Sequence, residues 1–252
     1  MIDEKFFLRL PKFFKNKIKI YPPLVKEVVE NEDFGQYIFL LTITQEELED
    51  EFINKKNIDS NENIPTPFEF LLATSYQDKR IEKIAKDAFY FFLKTPVTFM
   101  YDIKKILIGN IEDVAKEITS VEDLNKLTFI DEEDYFDFQN AIREALGSKA
   151  MEPPDPDEDP RVKRIKAKAR YRDKIKAKKG MGISFSTTLV SICCMGIGIT
   201  PLNIGELSYA SVGYIMRMYQ EKEKYELDIN SILAGADSKK IKPKYWIRNL
   251  DD

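Results

Sequence analysis

Pro153–Pro160 reads PPDPDEDP, and this stretch decides how the chain is organised. Prolines remove backbone donors and push their neighbours into extended geometry, and so many acids in eight residues cannot enter an apolar core. The reading is an extended linker over 151–160, between a lobe at 1–150 and a lobe at 161–252. On its far side, Asp159-Pro160 starts a helix with acids near its positive end. That helix, Arg161–Lys179, carries eleven Lys/Arg and one Asp, a local charge of +10. The whole chain of 252 residues has a net charge of −4, so the remainder carries −14. An acidic body with one basic element is the main electrostatic feature.

Upstream of the linker the pattern mixes short strands with helices. Lys15–Tyr21, KNKIKIY, alternates charged and apolar residues and reads as a half-exposed strand ended by Pro22-Pro23. Leu24, Val25, Val28 and Val29 fit one helical stripe. Gln36–Ile43 is apolar and reads equally as strand or helix. Thr44 and Glu47 form a capping box for a helix through Ile53, and Thr66-Pro67-Phe68-Glu69 repeats the logic. Leu71 and Leu72 continue that helix, and Asp78 restarts another carrying Ile81, Ile84, Ala88 and Phe91. Asn54–Ile64 is polar and reads as a surface loop. Val97–Tyr101 and Lys105–Ile108 read as a hairpin turning at Asp102–Lys104. Asp113–Glu117, Val121–Leu124 and Glu132–Leu146 read as helices, the last carrying Phe136, Ile142 and Leu146.

Downstream, Gly180–Gly205 has no charged residue and follows a basic segment, which suits a membrane span in length and flanking charge. Its many Ser, Thr and Gly, and Thr200-Pro201 as a new helix start, favour a buried core helix at Ser184–Ile199 instead. Cys193 and Cys194 within it read as inert core thiols. Leu207–Leu233 has helical periodicity, with Gly235 as its stop. The fold class is thus α+β, predominantly helical, with strands and a β-hairpin in the first lobe and helices in the second.

The chain has no His. That excludes Ser-His-Asp and Cys-His sites, a His base and the His-containing zinc patterns. Two adjacent Cys make neither a four-thiolate metal site nor a disulfide framework. Asp155-x-Asp157-x-Asp159 imitates a calcium loop, but Pro160 stands where Gly is needed and Lys166 where a Glu is needed. Gly196-x-Gly198 lacks the third Gly of a dinucleotide fingerprint. No catalytic residue, cofactor or metal is assigned, and no enzymatic activity is expected. The acidic N-terminus lacks the pattern of a secretory signal.

Two segments remain as candidate interfaces. Arg161, Lys163, Arg164, Lys168 and Arg172 present charge to a protein partner, to another copy of the chain, or to nucleic acid phosphates. A lone aromatic, Tyr171, gives that helix little base-stacking capacity. Near the end, Tyr245 and Trp246 beside Lys and Arg form a potential partner-binding peptide, unless the segment packs back on its own lobe.

Leu10–Glu27, LPKFFKNKIKIYPPLVKE, resembles the opening of bacteriophage tail and baseplate assembly proteins of the chaperone-like kind. The likeness lies in Leu10-Pro11, a strand at Lys17–Ile20, the Tyr21-Pro22 turn, and a helix beginning Leu24-Val25-Lys26-Glu27. The mid-chain hairpin, the Pro/acid linker before a basic helix, and the ending LDINSILAGADSKKIKPKYWIRNL (Leu227–Leu250) are similar too. The resemblance implies a non-enzymatic morphogenesis protein in the host cytoplasm. It would bind a tape-measure, tube or baseplate hub protein and keep it soluble. A permanent place in the virion tail is the alternative.

Overall fold

The computed structural model describes residues 3–56, 64–110, 127–151, 184–237 and 240–247, with positions 159, 161, 162, 165, 166, 169 and 172. The chain is α+β and predominantly helical, with two small antiparallel sheets. After a short helix α1 (Glu4–Phe7), strands β1 (Lys12–Phe14) and β2 (Ile18–Ile20) form a hairpin, followed by α2 (Val25–Glu30) and α3 (Phe34–Thr42). Next come α4 (Gln45–Lys56), α5 (Pro67–Gln77) and α6 (Lys79–Leu93). Strands β3 (Val97–Met100), β4 (Lys105–Ile108) and β5 (Phe129–Ile130) make the second sheet, in that order, ahead of α7 (Glu132–Ala145). The C-terminal part contributes α8 (Phe185–Cys194) and α9 (Tyr209–Leu233).

Helix boundaries follow their caps. The Glu47 N–H donates to Thr44 Oγ1 at 3.0 Å, and the Thr44 N–H donates to the Glu47 carboxylate at 3.2 Å. Thr66 and Glu69 repeat the box, with Pro67 at the first helical position. Asp78 closes α5 and opens α6, its carboxylate accepting from the Arg80 N–H at 2.8 Å. Α6 stops at Lys94, which adopts φ +53°.

The first lobe is built around α6, whose buried face, Ala85, Ala88, Phe89, Phe92 and Leu93, meets α3, α5, β2 and β3. Α7 closes the other side against α3, α5, β2 and β5. Aromatic rings run through this core in contact: Phe138 stacks on Phe89 at 5.4 Å, meets Phe14 edge-on at 5.8 Å, and Tyr135 packs on Phe68 at 5.1 Å. Such pairs add about 0.5–1.5 kcal/mol each beyond burial. Two buried polar groups are satisfied across α7 and α3: Gln139 donates to the Ile43 carbonyl at 2.9 Å and the Tyr135 hydroxyl to the Leu40 carbonyl at 3.3 Å.

Several expectations are corrected. Lys15–Tyr21 is not one strand. Lys15 (φ +48°) and Asn16 (φ +58°) form a turn, closed by the Lys17 N–H on the Phe14 carbonyl at 3.1 Å, and β1 pairs with β2. Two left-handed residues match the twist of a hairpin. The stretch left open between strand and helix is helical through Thr42, where Phe34, Tyr37, Leu40 and Leu41 are buried, and Ile43 is its extended cap. Val29 falls off its stripe and is exposed, while Val25 and Val28 are buried. Thr200-Pro201 begins a tight turn leading to a 3-10 segment, Ile204–Glu206, with the Thr200 N–H donating to Asn203 Oδ1 at 2.7 Å. The helices read at 113–117 and 121–124, and most of the linker, lie outside the described residues.

The C-terminal part is fastened to the first lobe at a seam. The Val25 N–H donates to the Leu207 carbonyl at 2.9 Å and the Tyr209 N–H to the Pro23 carbonyl at 2.8 Å, so Leu24 and Ser208 form an antiparallel bridge. Val25, Ile192, Ile204 and Val212 make a small apolar cluster beneath it. The Tyr209 ring lies 5.5 Å from Phe34 and 5.3 Å from Phe185.

Candidate partner-binding surface

Α9 is the longest helix among the described residues. Ser208 caps it, accepting from the Ser211 N–H at 3.3 Å. At the other end the Gly235 N–H donates to the Ile232 carbonyl and the Ala236 N–H to the Ser231 carbonyl, both at 3.0 Å. With Gly235 at φ +98° this is a Schellman stop. Twenty-five residues at 1.5 Å each span about 37 Å. Only Ala210, Ser211 and Val212, in the first turn, are buried. From Gly213 onward no residue of α9 is buried, and Leu227 and Leu233 are exposed.

Α8 has two faces. Phe185, Leu189, Ile192 and Cys193 pack towards the seam cluster, but among its residues only Ile192 is fully buried. Ser186, Thr187, Val190 and Cys194 are exposed. The expected buried helix at Ser184–Ile199 is therefore a shorter, half-covered one, and Cys194 is not a core thiol. Gly196 and Gly198, both at positive φ, lead into a loop in which Leu202 is 96% exposed.

Among the described residues after 159, the only buried apolar side chains are Ile192, Ile204, Ala210 and Val212. Exposed ones outnumber them and include Val162, Ile165, Val190, Ile197, Leu202, Leu227 and Leu233. The first lobe shows the opposite balance.

The terminal segment turns back onto α9. Tyr245 meets Tyr225 edge-to-face at 5.5 Å and 87°, and Trp246 lies 6.3 Å from Tyr245. Trp246 is half-buried, whereas Tyr245 and Ile247 keep most of their surface in solvent. In the basic segment, Arg161 and Arg172 are exposed, and the Arg161 N–H donates to the Asp159 carboxylate at 2.7 Å. Lys163, Arg164 and Lys168 lie outside the described residues. No hydrogen bond, ion pair or ring contact among the described residues joins Arg161 or Arg172 to Tyr245 or Trp246.

Ion pairs reinforce the seam. The Glu206 carboxylate accepts from Lys26 at 2.8 Å, with Arg9 at 3.8 Å, and Lys26 holds it below the usual carboxylate range. Arg9 also donates to the Glu206 carbonyl at 2.9 Å. Burial pushes the Tyr209 phenol up. No group of three or more metal-ligating side chains occurs among the described residues, and no helix among them is long and apolar enough to cross a membrane.

The seam itself, joining Pro23–Val25 to Leu207–Tyr209, was invisible to sequence reasoning. Its one local trace is Ser208-x-x-Ser211, a cap at the start of a long periodic stretch. Compared with protein-family models, with curated proteins and with solved structures, the chain matches none.

Proposed function

We propose that the chain is a non-enzymatic binding protein whose C-terminal helical arm covers apolar segments of a protein partner. The observation that carries this reading is the balance of apolar side chains in 184–247: few buried, many in solvent, on helices anchored at one end to a well-packed lobe. Exposed apolar surface of this kind is typical of association surfaces. The partner is a bacteriophage tail protein, such as a tape-measure, tube or baseplate hub protein. This part rests on the resemblance of Leu10–Glu27 and Leu227–Leu250. The segregated charge, −14 against +10, would orient docking. Co-expression with each of these tail proteins is the test. Stoichiometric co-purification that Leu227→Glu with Leu233→Glu abolishes supports the proposal; no tail protein co-purifying removes it. Mass spectrometry of purified particles separates a transient assembly role from a permanent place in the virion.

A second reading is favoured by one observation. Every described position in the basic segment, 161, 162, 165, 166, 169 and 172, is exposed, Val162 and Ile165 included. At 3.6 residues per turn these positions share one side of a helix, where the exposed Arg161 and Arg172 offer charge to a polyanion. A gel-shift titration with duplex DNA and RNA decides it, since salt-sensitive binding at low ionic strength is required.

A further inference from the structure

Away from the C-terminal arm, α5 and the turn between β3 and β4 enclose a cleft of about 410 Å³. Its walls are Glu69, Leu72, Ala73 and Tyr76 on α5, and Tyr101, Asp102 and Lys104 on the turn. We propose that this cleft receives a lysine or arginine side chain of a partner polypeptide.

The chemistry of the walls selects a cation. Tyr76 is 69% exposed, and its ring meets Tyr101 edge-to-face at 5.2 Å and 66°. That geometry fixes the Tyr76 ring while leaving much of its surface open, as a cation–π partner requires. Lys104 is occupied: its ammonium lies 3.0 Å from the Glu69 carboxylate and holds that group below the usual carboxylate range. Asp102 is exposed and has no ion-pair partner among the described residues. The cleft's own ionised groups therefore leave one negative charge. Leu72 and Ala73 supply an apolar bed for the methylene stem of a long basic side chain. Tyr101 adds an aromatic wall beside Tyr76. Burial together with the Glu82 carboxylate keeps its phenol neutral. The rim residues Tyr76, Asp102 and the exposed Ile103 leave one side open, which suits a side chain entering from a chain that stays outside.

The site is independent of the helical arm, and so is its test. Backbone amide NMR shifts of the full-length protein are followed while titrating capped Gly-Gly-Arg-Gly-Gly, its Gln counterpart, and free guanidinium. The proposal expects shifts centred on 69–76 and 101–104 with the Arg peptide, none with the Gln peptide, and weaker binding of guanidinium. Tyr76→Ala and Asp102→Asn each weaken the Arg peptide about threefold, in line with the modest size of exposed cation–π and ion-pair contacts. Tyr76→Phe keeps binding, and Glu30→Gln, an exposed acid elsewhere, leaves it unchanged. Shifts spread over the acidic body, indifference to Tyr76→Ala, or equal loss with Glu30→Gln would overturn the site. Guanidinium binding as tightly as the peptide would overturn the polypeptide partner. The substituted side chains are exposed, so melting temperatures within a degree of the parent check that the fold is intact.

Discussion

A β-carbon placed on Gly147 would sit 2.9 Å from the Cα of Ala210, closer than real side chains approach a backbone. The turn after α7 and the first turn of α9 are thus in backbone contact, and Gly147 also holds φ +74°. Gly147→Ala is expected to loosen the seam as well as strain the turn. Gly235→Ala provides the comparison: it has the same kind of backbone at φ +98° but nothing within 4 Å. The Gly235 variant should cost roughly 1 kcal/mol, the ordinary penalty for a left-handed non-glycine residue. The Gly147 variant should cost clearly more, read as the shift in urea midpoint. Equal costs would show that the close approach is not felt.

Gln139 is buried, and its amide meets the Ile43 carbonyl just beyond the end of α3. Gln139→Leu keeps the volume but leaves that carbonyl without its donor. A destabilisation of about 1–3 kcal/mol is expected by chemical denaturation. Gln139→Glu should be worse at neutral pH than at acidic pH, because a carboxylate there can donate only when protonated.

Four carboxylates are held below their usual range by basic neighbours. Lys26 does this to Glu206, Lys104 to Glu69, and Lys79 with Lys86 to Glu82. At Asp3 burial works the other way but is outweighed by Lys12 and the Lys5 N–H. A depressed folded value means the unfolded chain takes up protons first. The stabilisation is therefore complete above the unfolded carboxylate range, near about 4.3, and is lost as pH falls through the folded values. Melting temperature should be flat from about pH 7 to 5.5 and fall below about pH 4.5, with a shallower fall in 0.5 M salt.

Cys194 is exposed and Cys193 only partly so. A thiol reagent such as Ellman's should label one cysteine of the native protein fast and the other slowly. Cys194→Ser should remove the fast phase and Cys193→Ser the slow one. Two equal slow phases would contradict the placement of α8.

Much of the first lobe could be read from local chemistry. The boxes at Thr44/Glu47 and Thr66/Glu69, the Asp78 restart, the hairpin at Val97–Ile108 and the Gly235 stop all act within a few residues. Features that depend on distant partners were not legible. The hairpin of β1 and β2 turns on Lys15 and Asn16, which carry no glycine signal, so alternation alone suggested one strand. The apolar run containing α3 is compatible with either period until α6 and α7 cover one side of it. The uncharged stretch containing α8 suggested burial, but composition does not say whether a helix has neighbours on both sides. The candidate surface was found only in part for the same reason. Tyr245 shows itself as an aromatic near basic residues, whereas the exposure of Val190, Leu202 and Leu233 depends on what fails to pack against them.

The bridge between Leu24 and Ser208 joins positions 184 residues apart, and this distance sets an order of events during synthesis. At 5–20 residues per second, Ser208 leaves the ribosome roughly 10–35 s after Leu24. For most of that interval Val25, 2% exposed in the finished molecule, lacks Ile192 and Ile204, and for all of it Val212, to cover it. The nascent chain thus carries an uncovered apolar strip until α9 docks, and premature termination before Ser208 would leave that strip bare.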